Sequence, residues 1–316
     1  MVLQDALSLL ATALESLWIK GDFADTIQAL AGSGLLDYNV GMAAQFSENT
    51  IYTNKGFSSY NGLLLTVQKN MTHGLQFDAN YTWAHSLDNV SLIANGVAFG
   101  GYGFICDAVR PRLCRGNSDF DTTNYLTGDF TYQLPFGHGR SFGSSLPRFA
   151  DEIIGGWDLS GLTTWHSGTA YGTVSSAFVA GYANNAPGIF NGDTSALVHQ
   201  VHKNSSGQLF LYKDPNAAVS AFQGPIGFQI GSRNNLRGPQ YFDLDTGLAK
   251  TFALWPDKGL TFQLRGDAFN ILNHPSFSSP GNNTSYDDIT AASNFGQLTS
   301  MNGGPRIIQI SGRLQF

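Results

Sequence analysis

The sequence predicts an all-β chain of about seven antiparallel strands that form a segment of a transmembrane β-barrel, with long loops at one end and a short helical stretch at the N-terminus. Three observations predict it. Segments of about ten residues alternate apolar and polar side chains, as a strand with lipid on one side requires. The connections between these segments alternate between short turns and long loops. Composition agrees, because 37 glycines and 13% aromatic residues accompany only 13% charged residues, a mixture that suits strands and turns better than a helical bundle.

Residues 1–56 differ in character from the rest. Leu3, Leu7, Leu10, Leu14 and Leu17 recur every three or four residues, the repeat of one helical face, and Asp22 opens a second short pattern ending at Gly32 and Gly34. This stretch is expected to be a helical segment in an external loop, since the repeat is too short for a coiled coil.

Residues 57–316 carry the strands. Ser59 to Lys69 sets Leu63, Leu65 and Val67 against Thr66 and Gln68, with Leu64 intruding on the polar side. Leu75, Phe77, Ala79, Tyr81 and Trp83 oppose Gln76, Asp78, Asn80 and Thr82. Leu126, Gly128, Phe130, Tyr132, Leu134 and Phe136 oppose Thr127, Asp129, Thr131 and Gln133, and Trp157, Leu159, Gly161 and Trp165 oppose Asp158, Ser160 and His166. Phe242, Leu244, Leu248 and Phe252 face away from Asp243 and Asp245, and Leu260, Phe262, Leu264, Gly266 and Ala268 away from Thr261, Gln263, Arg265 and Asp267. The last strand sets Ile308, Ile310, Gly312, Leu314 and Phe316 against Gln309, Ser311, Arg313 and Gln315.

Met71 to Gly74 and Trp255 to Gly259 read as tight turns, with Gly137 to Gly156 as a longer link on the same side. The long connections are Leu87 to Asp121, Gly168 to Gln240 and Asn273 to Pro305. Barrels in the outer membrane keep short turns in the periplasm and long loops outside, which places Phe316 at the periplasmic end. Phe136, Trp157, Trp255 and Phe316 then fall near one interface, and Trp83, Trp165 and Tyr241 near the other, as two aromatic girdles. Gln76, Asp78, Asn80, Asp129, Asp243, Asp245, Gln263, Arg265, Asp267 and Arg313 are expected to face the lumen. Their charges either pair across strands or contact a plug or solute.

Several function classes find no support. A net charge of −6 and the absence of a basic run argue against nucleic acid as a partner. No stretch is apolar for the roughly 18 to 20 residues that a transmembrane helix needs. No GxSxG, HExxH or P-loop pattern occurs, so neither catalytic residues nor a cofactor site is expected, and the chain is not read as an enzyme. Asn117, Asp119 and Asp121 lack the glycine and distal glutamate of a calcium loop and read as solvated loop residues. His199 and His202 share a loop without a third ligand, so no metal site is expected. Cys106 and Cys114 flank seven residues of a glycine-rich loop; they read as a disulfide of an oxidising compartment, with two free thiols as the alternative. The N-terminus lacks a signal peptide, so Met1 is not expected to be the start of the natural chain.

Several motifs together resemble the C-terminal barrel of Oar-like TonB-dependent receptors: SSYNGLLLTVQKNMTHGLQFDANYTWAHSLD at Ser58 to Asp88, IGGWDLSGLTTWHSGTAY at Ile154 to Tyr171, LRGPQYFDLDTGLAKTF at Leu236 to Phe252 and LRGDAFNILNHPSF at Leu264 to Phe277. CDAVRPRLCRGNSDFD at Cys106 to Asp121 is similar to a loop of that family. The resemblance covers nearly everything after Tyr38. It implies a bacterial outer-membrane receptor that takes up a large solute using energy delivered by TonB to a plug, with outer-membrane lipid as its solvent and the barrel assembly machinery reading Phe316. Such barrels have about 22 strands around a plugged lumen. The chain is therefore expected to be the C-terminal part of a larger barrel, lacking the plug, the carboxypeptidase-regulatory-like domain and the other strands, and inactive alone. The alternative from another class is a secreted all-β adhesin or carbohydrate-binding module, whose apolar faces would pack into a core between two sheets.

Overall fold

The computed structural model describes residues 2–19, 23–34, 53–91, 110–175, 186–227, 229–280 and 286–316. Seven long strands form one antiparallel meander: β1 (Ser58–Thr72), β2 (Leu75–Asp88), β3 (Asn124–Gln133), β4 (Trp157–His166), β5 (Tyr241–Trp255), β6 (Leu260–Phe269) and β7 (Ile307–Gln315). Each strand pairs with its neighbour in sequence, and the two-residue strand Gly116–Asn117 extends the sheet at the end of β2. Every alternating segment expected from the sequence is a strand. Among the described residues the sheet is open, with β1 and β7 as its edges. Ahead of it lie helices α1 (Val2–Ile19) and α2 (Phe23–Gly32), as the leucine repeat and the glycine stop predict.

Side chains directly opposite in an antiparallel pair share a face, so the register sorts the sheet into two surfaces. Gln68, Asp78, Asp129, Leu162 and Asp245 form one row, continued by Asp267 and Gln309 beyond Gly247. On the other surface, Val67, Ala79, Gly128, Thr163 and Leu244 form a row with Leu65, Tyr81, Leu126 and Trp165 beside it. A one-residue slip anywhere would exchange the surfaces. The apolar surface is bare: Leu65 is 51% exposed, Val67 59% and Ile310 76%. No second sheet packs on it among the described residues.

The turns account for this regularity. His73 and Gly74 both have positive φ, 52° and 77°, the conformation of a two-residue hairpin whose twist matches its strands. A bulge between Ala253 and Trp255 brings Trp255 opposite Leu260, turning the indole to the apolar surface. β3 stops earlier than the alternation suggests. The Leu134 N–H still donates to the Trp157 carbonyl at 2.8 Å, but Pro135 has no N–H to continue the ladder. Phe136 therefore lies in the link to β4, where it bridges to Phe142.

The long connections are not plain loops. The segment between β4 and β5 forms several short strands and helix Pro215–Ser220, and it interlocks with the connection between β6 and β7. Leu209 and Phe210 pair with Leu298 and Gln297, and Tyr286–Asp288 runs parallel to Gly172–Val174. Tyr171, Leu211, Tyr212, Phe222, Leu236, Phe295 and Leu298 are buried among one another. Among the described residues the apolar core thus sits in a cap on the long-loop end, while most of the sheet's own apolar face is uncovered.

Candidate functional site

The site with functional potential is the mouth where the cap meets the polar face. β2 carries Gln76, Asp78 and Asn80 onto that face, β3 carries Asp129, β5 Asp243 and Asp245, β6 Gln263, Arg265 and Asp267, and β7 Arg313. Strand periodicity alone puts all ten sequence-selected polar residues on one surface. Their partners differ. Arg265 donates to Asp267 two residues along the same strand, with contacts of 2.8 and 2.9 Å. Asp245 accepts the Asn270 N–H at 2.8 Å. Asp78 accepts from Asn80 at 2.5 Å, and Asn80 in turn accepts from Thr66 at 2.7 Å. Asp78 and Asp129 stand directly opposite each other, and neither is ion-paired among the described residues.

At the upper edge of this face the rings of Tyr125, His166 and Tyr241 stack across three strands. Their centroids are 5.5 and 5.0 Å apart, with planes tilted by 4° and 8°. The register makes this unavoidable, since His166 is paired with Tyr125 on one side and Tyr241 on the other.

Among the described residues, two ion pairs fasten the cap to the sheet. Asp88, the last residue of β2, is buried against Arg233, and Arg233 also donates to Ser91 Oγ at 2.8 Å and the Asn117 carbonyl at 3.1 Å. Asp121 accepts Arg237 at 2.5 Å and the Ser86 N–H at 2.5 Å. Between these pairs Asn117 and Asn234 exchange two hydrogen bonds of 2.8 Å. Asp121 is thus buried and ion-paired, which corrects the expectation of a solvated loop residue; the charge of Arg237 repays its desolvation. Beside the clamp opens a cavity of about 630 Å³ lined by Leu87, Arg110, Arg115, Asn117, Ser232 and Arg233, among others. Among the described residues, arginines are the charged groups of its lining.

Inside the cap, Tyr171 and Tyr212 join their hydroxyls, and Asp287 accepts the Gly296 N–H at 2.6 Å. Burial raises both phenols well above their usual range and pushes the Asp287 carboxyl up to about 7.

The sequence-selected aromatics Trp83, Trp157 and Trp165 lie on the apolar surface by register, as does Trp255 after its bulge. Phe316 follows β7 and is 98% exposed. Cys114 is buried and disulfide-bonded; Cys106 lies outside the described residues. The alternation passed over Lys250, which falls on the apolar surface between Trp157 and Leu264. Its ammonium is nevertheless satisfied, donating at 2.5 Å to the carbonyls of Glu152 and Gly155 at the end of helix α3 (Arg148–Ile154). A lone lysine in a greasy alternation was the signal. The clamp carried none, because its partners are more than a hundred residues apart.

A family model described as outer membrane beta barrel domain matches residues 23–309. No curated protein and no solved structure matches the chain.

Proposed function

Since the chain belongs to the outer membrane beta barrel domain family and is an outer-membrane protein, we propose that it serves as the C-terminal part of a TonB-dependent receptor that takes up a large solute. The observation that carries this reading is the pairing of an uncovered apolar surface with a polar one bearing Asp78 and Asp129 face to face. Opposed carboxylates destabilise a sheet by themselves, and a hydrated lumen or a docked cationic plug relieves them. The bare apolar surface disfavours an adhesin, which would need that face buried in its own core. The resemblance at Ser58 to Asp88 and Leu236 to Phe277 supports the receptor class.

In this reading the cap captures the solute, since loops on a rigid scaffold carry specificity. The cavity beside Arg110 and Arg115 receives it through anionic groups, because guanidinium forks match carboxylate and phosphate geometry. TonB machinery moves the plug, Phe316 engages the barrel assembly machinery, and no catalysis is involved. The test is binding of the full-length protein, in detergent, to the isolated periplasmic domain of TonB. Saturable binding that is lost when the N-terminal region bearing the plug is removed supports the receptor. An outer-membrane protein that forms an open channel in planar bilayers and shows no TonB binding overturns it.

A further inference from the structure

Lys250 indicates which side of the sheet helix α3 occupies. Its side chain leaves β5 on the apolar surface, in line with Leu248 and Phe252, and it reaches the last carbonyls of α3. The indole N–H of Trp157, also on that surface, donates to the Ile153 carbonyl at 2.9 Å. Two side chains from different strands therefore hold the helix on the outside of the sheet, away from the lumen. Lys250 lies nine residues along β5 from Tyr241, near the limit of the roughly 9 to 11 residues that cross the hydrocarbon. The helix is thus level with the headgroups on the short-turn side.

Its free side is greasy. Asp151 points back into the link, where its carboxylate accepts the His138 N–H at 2.5 Å. Phe149 and Ile153 lie two residues to either side of Asp151, hence on the opposite side of a helix with about 3.6 residues per turn. They are 77% and 56% exposed. Phe142, in the same link, is exposed as well. A second lysine of the apolar surface, Lys69 opposite Phe77, also turns its ammonium to turn carbonyls, those of Thr72 and Leu75, at the same end. Long cationic side chains do this where hydrocarbon gives way to headgroups.

We propose that α3 is an interfacial anchor whose Phe149 and Ile153 lie in the phospholipid of the periplasmic leaflet. Continuity with the lipid-facing surface of the sheet selects this occupant. β3 and β4, which the link joins, each have both neighbours in place, so no further strand can cover the helix from the side, and a plug would lie across the sheet from it. The proposal rests on the outer-membrane barrel alone and stands whether or not the protein engages TonB.

The test attaches an environment-sensitive fluorophore to Ile153→Cys, and separately to Phe149→Cys, in the otherwise cysteine-blocked full-length protein. Ser144→Cys, exposed in the same link, is the aqueous reference. Folding is verified by heat-modifiable migration before reconstitution into phosphatidylethanolamine and phosphatidylglycerol vesicles. Acyl chains brominated near the headgroup should remove most of the emission at 153 and 149, while iodide should quench only the label at 144. Iodide quenching at 153 and 149 equal to that at 144 would place this face in water and overturn the proposal. Shielding from both quenchers would assign the face to protein contact and overturn it equally.

Discussion

Asp88 and Arg233, 145 residues apart in sequence, form a buried ion pair that joins the end of a barrel strand to the cap. Neither charge could be buried alone, because desolvation without a counter-charge costs several kcal/mol. The pair therefore makes cap placement conditional on the register of β2. The cavity beside it shares Arg233, so the clamp also fixes the shape of that cavity.

Arg233→Ala is expected to cost about 3–5 kcal/mol of cap attachment, since Asp88 is left buried without its partner. Hydrogen exchange at Leu211 and Tyr212 should accelerate while β4 and β5 keep their protection. The double variant with Asp88→Asn should lose less than the two single losses added together. Unchanged protection in the cap of Arg233→Ala would show that the cap's own core positions it.

Asp287 gives the cap a pH dependence of definite sign. Its folded value of about 7 lies above the roughly 3.9 of an unfolded aspartate, so the folded cap favours the protonated carboxyl. That contribution is complete below about pH 4 and is lost as pH rises through about 7. Its full size is on the order of 4 kcal/mol at most. The cap should be more resistant to proteolysis at pH 5 than at pH 8. Asp287→Asn keeps an oxygen for the Gly296 N–H and should flatten the profile; an unaltered slope in this variant would assign the dependence to another group.

Lys250→Met keeps the length and greasiness of the side chain but removes the donor to Glu152 and Gly155. Leaving those carbonyls unpaired costs about 1–3 kcal/mol. Faster exchange at the Gly155 amide, which closes the helix on Asp151, would register the loosening, with the β4 ladder unaffected. Equal exchange in both proteins would mean that lipid headgroups or water replace the ammonium.

How much of this was legible in the sequence follows the range of the interactions. Strand identity and facing are local, because alternation at period two repeats in every strand and a slip would bury Asp129 or expose Phe130 to the wrong side. The Tyr125, His166 and Tyr241 stack needed the register of three strands at once, and β4 and β5 are separated by more than seventy residues. The cap was harder still. Tyr171, Tyr212 and Phe295 come from two connections with no shared period, so their burial together is set by tertiary pairing such as Leu209 with Leu298. Lys250 was visible as an anomaly, but its carbonyl partners belong to a link that the alternation could not fold.

The opposed carboxylates Asp78 and Asp129 separate a water-filled lumen from a plugged one. Like charges directly across an antiparallel pair destabilise it by roughly 0.2–1 kcal/mol, so Asp129→Asn should raise the resistance of the isolated barrel to denaturant by about that much. In the full-length protein the proposed plug reverses the sign. A cationic plug group docked between Asp78 and Asp129 would lose one of its two partners, and the plug should be held less firmly. Cells carrying Asp129→Asn should then admit bulky antibiotics that the parent protein excludes, with expression and heat-modifiability unchanged. A variant that is more stable in both settings and no leakier would mean that these carboxylates meet water alone.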